Sequence, residues 1–125
     1  MIRGELWRHG DDAALLGARR VEWWGERMRG LLGTREPPAH ALYLAPCASV
    51  HTIGMRYPLD LVYLDHAGVV LGWRERVAPW RFSACRRAAA TVEFHGGALA
   101  ALQPRLGERW HWRSGGNSAG EGRQP

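Results

Sequence analysis

The chain contains no lysine, and all 17 of its cationic side chains are arginines. Together with abundant alanine and 16 glycines, this absence reads as a coding bias towards GC-rich codons. Arginine richness alone therefore does not argue for phosphate recognition, which selects arginine for its planar fork. Cysteine is scarce as well, at two residues, Cys47 and Cys85. They suffice for one bridge in an oxidising compartment, while in a reducing one the default is two free, buried thiols. The two close-spaced pairs of a structural zinc site are missing. No run approaches the roughly eighteen apolar residues of a membrane-spanning helix. The N-terminal stretch MIRGELWRHGDD has no apolar segment of signal-peptide length, so a soluble, cytoplasmic protein is expected. Phosphate-binding glycine loops, serine-nucleophile elbows and zinc-protease helices are absent too.

What is there suits a small folded domain. A chain of 125 residues and 14.0 kDa buries roughly two-thirds of its extended surface, enough for a core without staples. The hydrophobic share is 46%, and seven tryptophans provide large rigid pieces. The net charge of +5 and pI near 10.2 would suit an anionic partner, were the cation not always arginine. One globular domain is expected over residues 1–113. The segment from Ser114 to Pro125, SGGNSAGEGRQP, has little to bury and is expected to be a disordered tail.

Hydrophobic periodicity orders the elements. Ile2 to His9 alternates loosely, HGDD makes a turn, and Leu15 to Glu22 returns as a second strand. Trp24, Met28, Leu31 and Leu32 then share a helical face, which Gly33 and the following Pro37-Pro38 terminate. HALYLAP reads as a short strand. In PLDLVYLDHAGVVLGWRERV two apolar runs flank Asp65-His66-Ala67-Gly68, a hairpin turn in which Gly68 can supply a positive φ. Both faces of its first arm look covered, so that arm is central. On the second arm Val69, Leu71, Trp73 and Val77 are expected on one face and Arg74 and Arg76 on the other. AATVEFH gives a strand with Val92 and Phe94 inward and Thr91, Glu93 and His95 outward. ALAALQP is a helix of a turn or two stopped at Pro104, and LGERWHWR is a closing strand. The result is an α+β fold, mainly antiparallel β, with two short helices.

The series W..RMRGLLG, PLDLVYLDHAGVV, A..VEF..G and L..GER, spread over Val21 to Trp112, resembles the domain of unknown function 192 family, an uncharacterised family of bacteria and archaea. The resemblance implies a compact, barrel-like, antiparallel β domain with a pair of short helices, and it implies no activity. Members often carry FWMKNT before the PLD, where this chain has Val50-His51-Thr52-Ile53-Gly54-Met55. Relatives are often exported, so the family sets no compartment for this chain.

The candidate chemistry gathers just before that hairpin. Asp60 is a lone carboxylate, whereas glycosidase or aspartic-protease chemistry needs two at close range. Its bland reading is a clamp on loop amides or a partner for Arg56. Cys47 and His51 could form a thiol-imidazole dyad, or hold a metal with Cys85 or Met55. Against these stand a Cys47–Cys85 disulfide and two inert thiols. Arg74, Arg76, Arg81, Arg86 and Arg87, interleaved with Trp73, Trp80 and Phe82, are a candidate anion-binding surface, unless those aromatics belong to the core. The reading favoured is a non-enzymatic accessory or binding domain. Its contact cleft comprises Cys47, His51, Thr52, Met55, Arg56 and Asp60, with Cys85 nearby. The partner expected is a protein or a small molecule, with nucleic acid disfavoured and no cofactor. The alternative is a metal- or thiol-dependent activity centred on Cys47 and His51.

Overall fold

Short β-branched and aromatic runs separated by glycine and proline turns produce a fold of nine strands and one helix among the described residues. The computed structural model describes residues 2–9, 16–21 and 41–114. In chain order the elements are β1 (Ile2–Arg8), β2 (Leu16–Val21), β3 (Ala41–Leu44), β4 (Ser49–His51), β5 (Leu59–Leu64), β6 (Val70–Val77), β7 (Phe82–Ala84), β8 (Ala90–His95), α1 (Ala98–Leu102) and β9 (Trp110–Ser114). Seven strands form a curled, half-barrel sheet in the order β6, β5, β8, β3, β2, β1, β9, and β4 pairs with β7 in a separate ribbon. The pairings are antiparallel except for β2 with β3. At one end the edges of the sheet meet. Val69 bridges Arg109, and the Val70 N–H donates to the Glu108 carbonyl at 2.8 Å. This curling gives the barrel-like form that the family resemblance implies.

The fold class is mainly β, broadly α+β, with one correction. Of the two short helices expected, the described residues show one, Ala98–Leu102. The other, over residues 24–33, lies outside the described residues, as does the tail from residue 115. Ser114, expected at the start of that tail, instead ends β9 opposite Gly4.

Strand alternation sorts the core into two faces. Val62 and Leu64 of β5 join Val92 and Phe94 of β8, Leu6, Leu99 and Trp110 on the first face. Leu59, Leu61 and Tyr63 join Leu42, Leu44, Val50, Met55 and Val77 on the second. The first hairpin arm is central, as its pattern predicts. β8 is central as well, lying between β5 and β3. Glu93, expected outward, is therefore only 2% exposed, opposite Leu42 and Leu61. On β6 the expected face is broken by two register shifts. Leu71 is the extra residue between the pairs Tyr63–Gly72 and Leu64–Val70, and it packs on the second face while Trp73 packs on the first. The second shift sets Glu75 and Arg76 against Asp60.

The turn between β5 and β6 forms as its residues dictate. Asp65 Oδ1 accepts the N–H groups of Ala67 and Val69 at 2.8 and 2.9 Å. Gly68 takes φ 85°, and a Cβ there would lie 2.2 Å from the Trp110 carbonyl oxygen. Glycine is thus required both by the backbone and by the close approach of β9.

Candidate functional site

The cluster read from the sequence divides in space. Asp60 alternates with Leu59 and Leu61, so its side chain lies on the first face, opposite the one on which Cys47, Met55 and Cys85 pack. There it is fully buried. Its Oδ1 accepts the Arg76 N–H at 2.7 Å, and its Oδ2 accepts the Gly97 and Leu99 N–H groups at 3.0 and 2.9 Å. Gly97 precedes α1 with no side-chain cap of its own, and Asp60 supplies one from a neighbouring strand. At the other end of α1 the Arg8 guanidinium donates to the Leu102 carbonyl at 2.6 Å. Both orphan ends of the helix are thus met by charges of the matching sign. The bland reading of Asp60 as a clamp on amides describes this geometry, with Arg76, Gly97 and Leu99 as the amides.

Cys47 and Cys85 are half-buried free thiols packed against the second core face. The Cys47 thiol donates to the Ser49 carbonyl at 3.1 Å, and the Cys85 N–H donates to the Ala48 carbonyl at 2.8 Å. On the same face the Tyr63 hydroxyl donates to the Ser83 hydroxyl at 2.5 Å. Burial raises the Tyr63 pKa, the Ser83 bond opposes that rise, and both thiols add to it. The His51 Nδ1 accepts the Ile53 N–H at 3.2 Å. Among the described residues no group of three or more His, Cys, Asp and Glu is placed to hold a metal ion.

Thr52 organises this region. It is completely buried, and its hydroxyl donates to the Ala78 carbonyl at 2.6 Å and accepts the Arg81 N–H at 2.8 Å. Its own N–H donates to the Arg81 carbonyl, and its carbonyl accepts the Trp80 N–H, both at 2.9 Å. One residue thereby fixes the loop after β4 against the loop before β7. Met55 is core and Arg56 is exposed.

The outcome is a surface at the tip of the β4–β7 ribbon. Val50 and Ser83 point inward, and the paired residues His51 and Phe82 point outward. Phe82 is 70% exposed, Trp80 65% and Ile53 47%, three of the five exposed large apolar residues among those described. Trp80 holds φ 64°, a left-handed conformation that is uncommon for a bulky side chain. The tip loops, residues 52–58 and 78–81, carry Arg56 and Arg81 and no acidic residue, while Arg86 and Arg87 follow β7 at the other end of the ribbon. The two candidate features of the sequence, the Cys47–Met55 stretch and the Arg/Trp segment, therefore meet here. Trp80 and Phe82 are surface, not core, whereas Trp73 is packed on the first face. Ile53 was not singled out by sequence reasoning; a β-branched apolar residue directly before Gly54 in a turn was its available signal. Shallow hollows of about 240 Å³ (Gly72, Trp73, Leu106) and 330 Å³ (Arg3, Gly4, Gly17, Ala18, Arg19) include, of the candidate residues, Trp73 alone.

Comparison with known proteins places the chain by family and fold. The model of the DUF192 family, described as "Uncharacterized ACR", matches residues 9–112. A Sinorhizobium meliloti 1021 protein described as a "putative transcription regulator (R01717)" superposes with a TM-score of 0.71 at 18% identity, covering 89% of this chain and 92% of its own. A protein of unknown function from Novosphingobium aromaticivorans DSM 12444 gives a TM-score of 0.64 at 18% identity, covering 86% and 84%. No curated protein matches the sequence.

Proposed function

The chain belongs to the DUF192 family, and on that premise we propose that it is a small, non-enzymatic binding domain whose contact surface is the tip of the β4–β7 ribbon. The observation carrying this reading is the joint display of Ile53, Trp80 and Phe82 on a buried Thr52 anchor. Exposed, adjacent apolar side chains forgo roughly 25 cal/mol of stabilisation for each Å² left in water. Trp80 adds a backbone cost of about 1–2 kcal/mol for its left-handed conformation. A fold that retains both costs at one place gains from covering that place. Trp, Phe and Arg are also the residue types that concentrate at recognition surfaces. His51, Thr52 and Arg56 belong to this surface or its support, and Asp60 serves α1. In this reading residues 1–113 act as one folded unit. The regulator name of the S. meliloti neighbour agrees with a binding role, although the likeness is one of fold.

The rival reading, a metal- or thiol-dependent activity centred on Cys47 and His51, draws support from two thiols beside one buried hydroxyl pair. Both polar atoms that would begin such chemistry already engage nearby backbone.

A photoreactive benzoylphenylalanine in place of Trp80, with Arg105 as a control position, tests the proposal in living cells. Adducts at position 80 and none at position 105 are expected. Equal labelling at both positions, or none at either, overturns it. An unchanged adduct pattern with Cys47→Ser separates this surface from the thiol reading.

A further inference from the structure

Resting on the ribbon tip as the contact surface, we propose that its occupant is the headgroup and upper acyl region of an anionic lipid bilayer. The geometry points to insertion of loop tips. Ile53 and Trp80 belong to two different loops held side by side through the backbone of Thr52, and Phe82 follows on the outward face of the ribbon. Two tips and one strand position thus expose apolar side chains at one end of the ribbon. Tryptophan favours the bilayer interface, where its ring lies among acyl chains and its N–H reaches polar groups.

The charge around the tip matches. Arg56 and Arg81 lie in the two tip loops, residues 52–58 and 78–81, which hold no acid, and long basic side chains lie along an apolar surface while their heads reach phosphates. Arg81 stands directly between the two aromatics. Its guanidinium donates to the Trp80 carbonyl at 3.4 Å, which keeps the head near the tip.

Three other occupants fit less well. A single-stranded nucleic acid would stack on Trp80 and Phe82, but the aliphatic Ile53 offers a base no π-face. A second copy would bring two pairs of arginines and no compensating acid to the shared tip loops, which like-charge repulsion disfavours. A partner protein requires an acidic-rimmed apolar patch and gives no reason for placing the apolar groups on two loop tips.

The test uses the full chain with vesicles of equal parts phosphatidylglycerol and phosphatidylcholine, beside vesicles of phosphatidylcholine alone. Trp80→Asn keeps a residue that tolerates φ 64°, and Phe82→Thr keeps a strand former; neither removes a core contact. Wild type is expected to co-sediment with the anionic vesicles, less at high salt, and the double variant to lose ~10-fold or more in affinity with an unfolding midpoint no lower than that of wild type. Brominated lipids are expected to quench a tryptophan component in wild type that Trp80→Asn lacks. Four results would each overturn the proposal. These are no vesicle binding, binding that the double variant retains, tighter binding to a single-stranded oligonucleotide than to vesicles, or Trp80-dependent dimerisation in sedimentation. If vesicles fail while position 80 still forms adducts in cells, the binding surface stands and the lipid occupant falls; if both fail, both fall.

Discussion

Removing the Asp60 carboxylate is expected to cost as much stability as truncating a large core side chain, because it withdraws one buried acceptor group from three donors at once. Asp60→Ala leaves the amides of Arg76, Gly97 and Leu99 without the partners they hold at 2.7, 3.0 and 2.9 Å. Hydrogen bonds to a charged group contribute about 1.5–3 kcal/mol each, so simple addition gives roughly 4.5–9 kcal/mol. Relaxation of a five-residue helix allows some of these amides to reach water, and breaking a buried charged cluster typically costs ~3–5 kcal/mol. A loss of about 3–5 kcal/mol is therefore expected, against a total of roughly 5–15 kcal/mol for a domain. Asp60→Asn is the sharper probe. Its one carbonyl oxygen can retain the Gly97 and Leu99 bonds, while its NH2 group then faces the Arg76 N–H, a donor against a donor. An intermediate loss of about 1–3 kcal/mol follows. Urea titration followed by circular dichroism measures both variants, and amide exchange at Leu99 reports the helix end directly. Wild-type stability in Asp60→Asn, within ~0.5 kcal/mol, together with unchanged Leu99 protection in Asp60→Ala, would refute the clamp.

Thr52→Val preserves shape but strands the Ala78 carbonyl and the Arg81 amide, so a loss of about 2–4 kcal/mol is expected in the same titration, with the loop before β7 losing exchange protection first. Asp65 is held below its ordinary 3.8, chiefly by the Val69 N–H and then by that of Ala67, with burial working against them. Its contribution is present above the unfolded value and is lost as pH falls through the folded one; Asp65→Asn should flatten the acid limb of the stability curve below about pH 4, and equal slopes would count against it. His111 is likewise depressed, first by burial and then by Arg113 and His9. Stability from this group is full above its ordinary 6.5 and declines as pH falls, and a ring titration by NMR at or above 6.5 would contradict the structure.

Local features were the most legible part of the chain. The β5–β6 hairpin follows from two apolar runs around a turn whose aspartate and glycine act within five residues of one another. The expected first two strands likewise pair antiparallel as β1 and β2. Alternation, however, shows which residues share a face and not whether that face is covered. Glu93 alternates like an outward residue, yet β8 lies between two other strands and buries it. The two register shifts in β6 move Trp73 to the face opposite Leu71 and bring Val77 back to it, and a period-2 pattern read without its partner strand cannot register such shifts. The candidate site was half legible. Cys47, His51 and Asp60 are close in sequence, but Asp60 lies one strand position from Leu59 and Leu61 and therefore points to the opposite side.

The sequence by itself determined the class of the fold and its family, because both rest on short-range turn chemistry and on motif order along the chain. Which aromatics are exposed was decided by the tertiary structure. Pairing of β4 with β7 joins residues about thirty positions apart, and the buried Thr52 hydroxyl sets their loops together. That contact turns Ile53, Trp80 and Phe82 outward as one surface, while Trp73 and Trp110, no different in composition, fill the core.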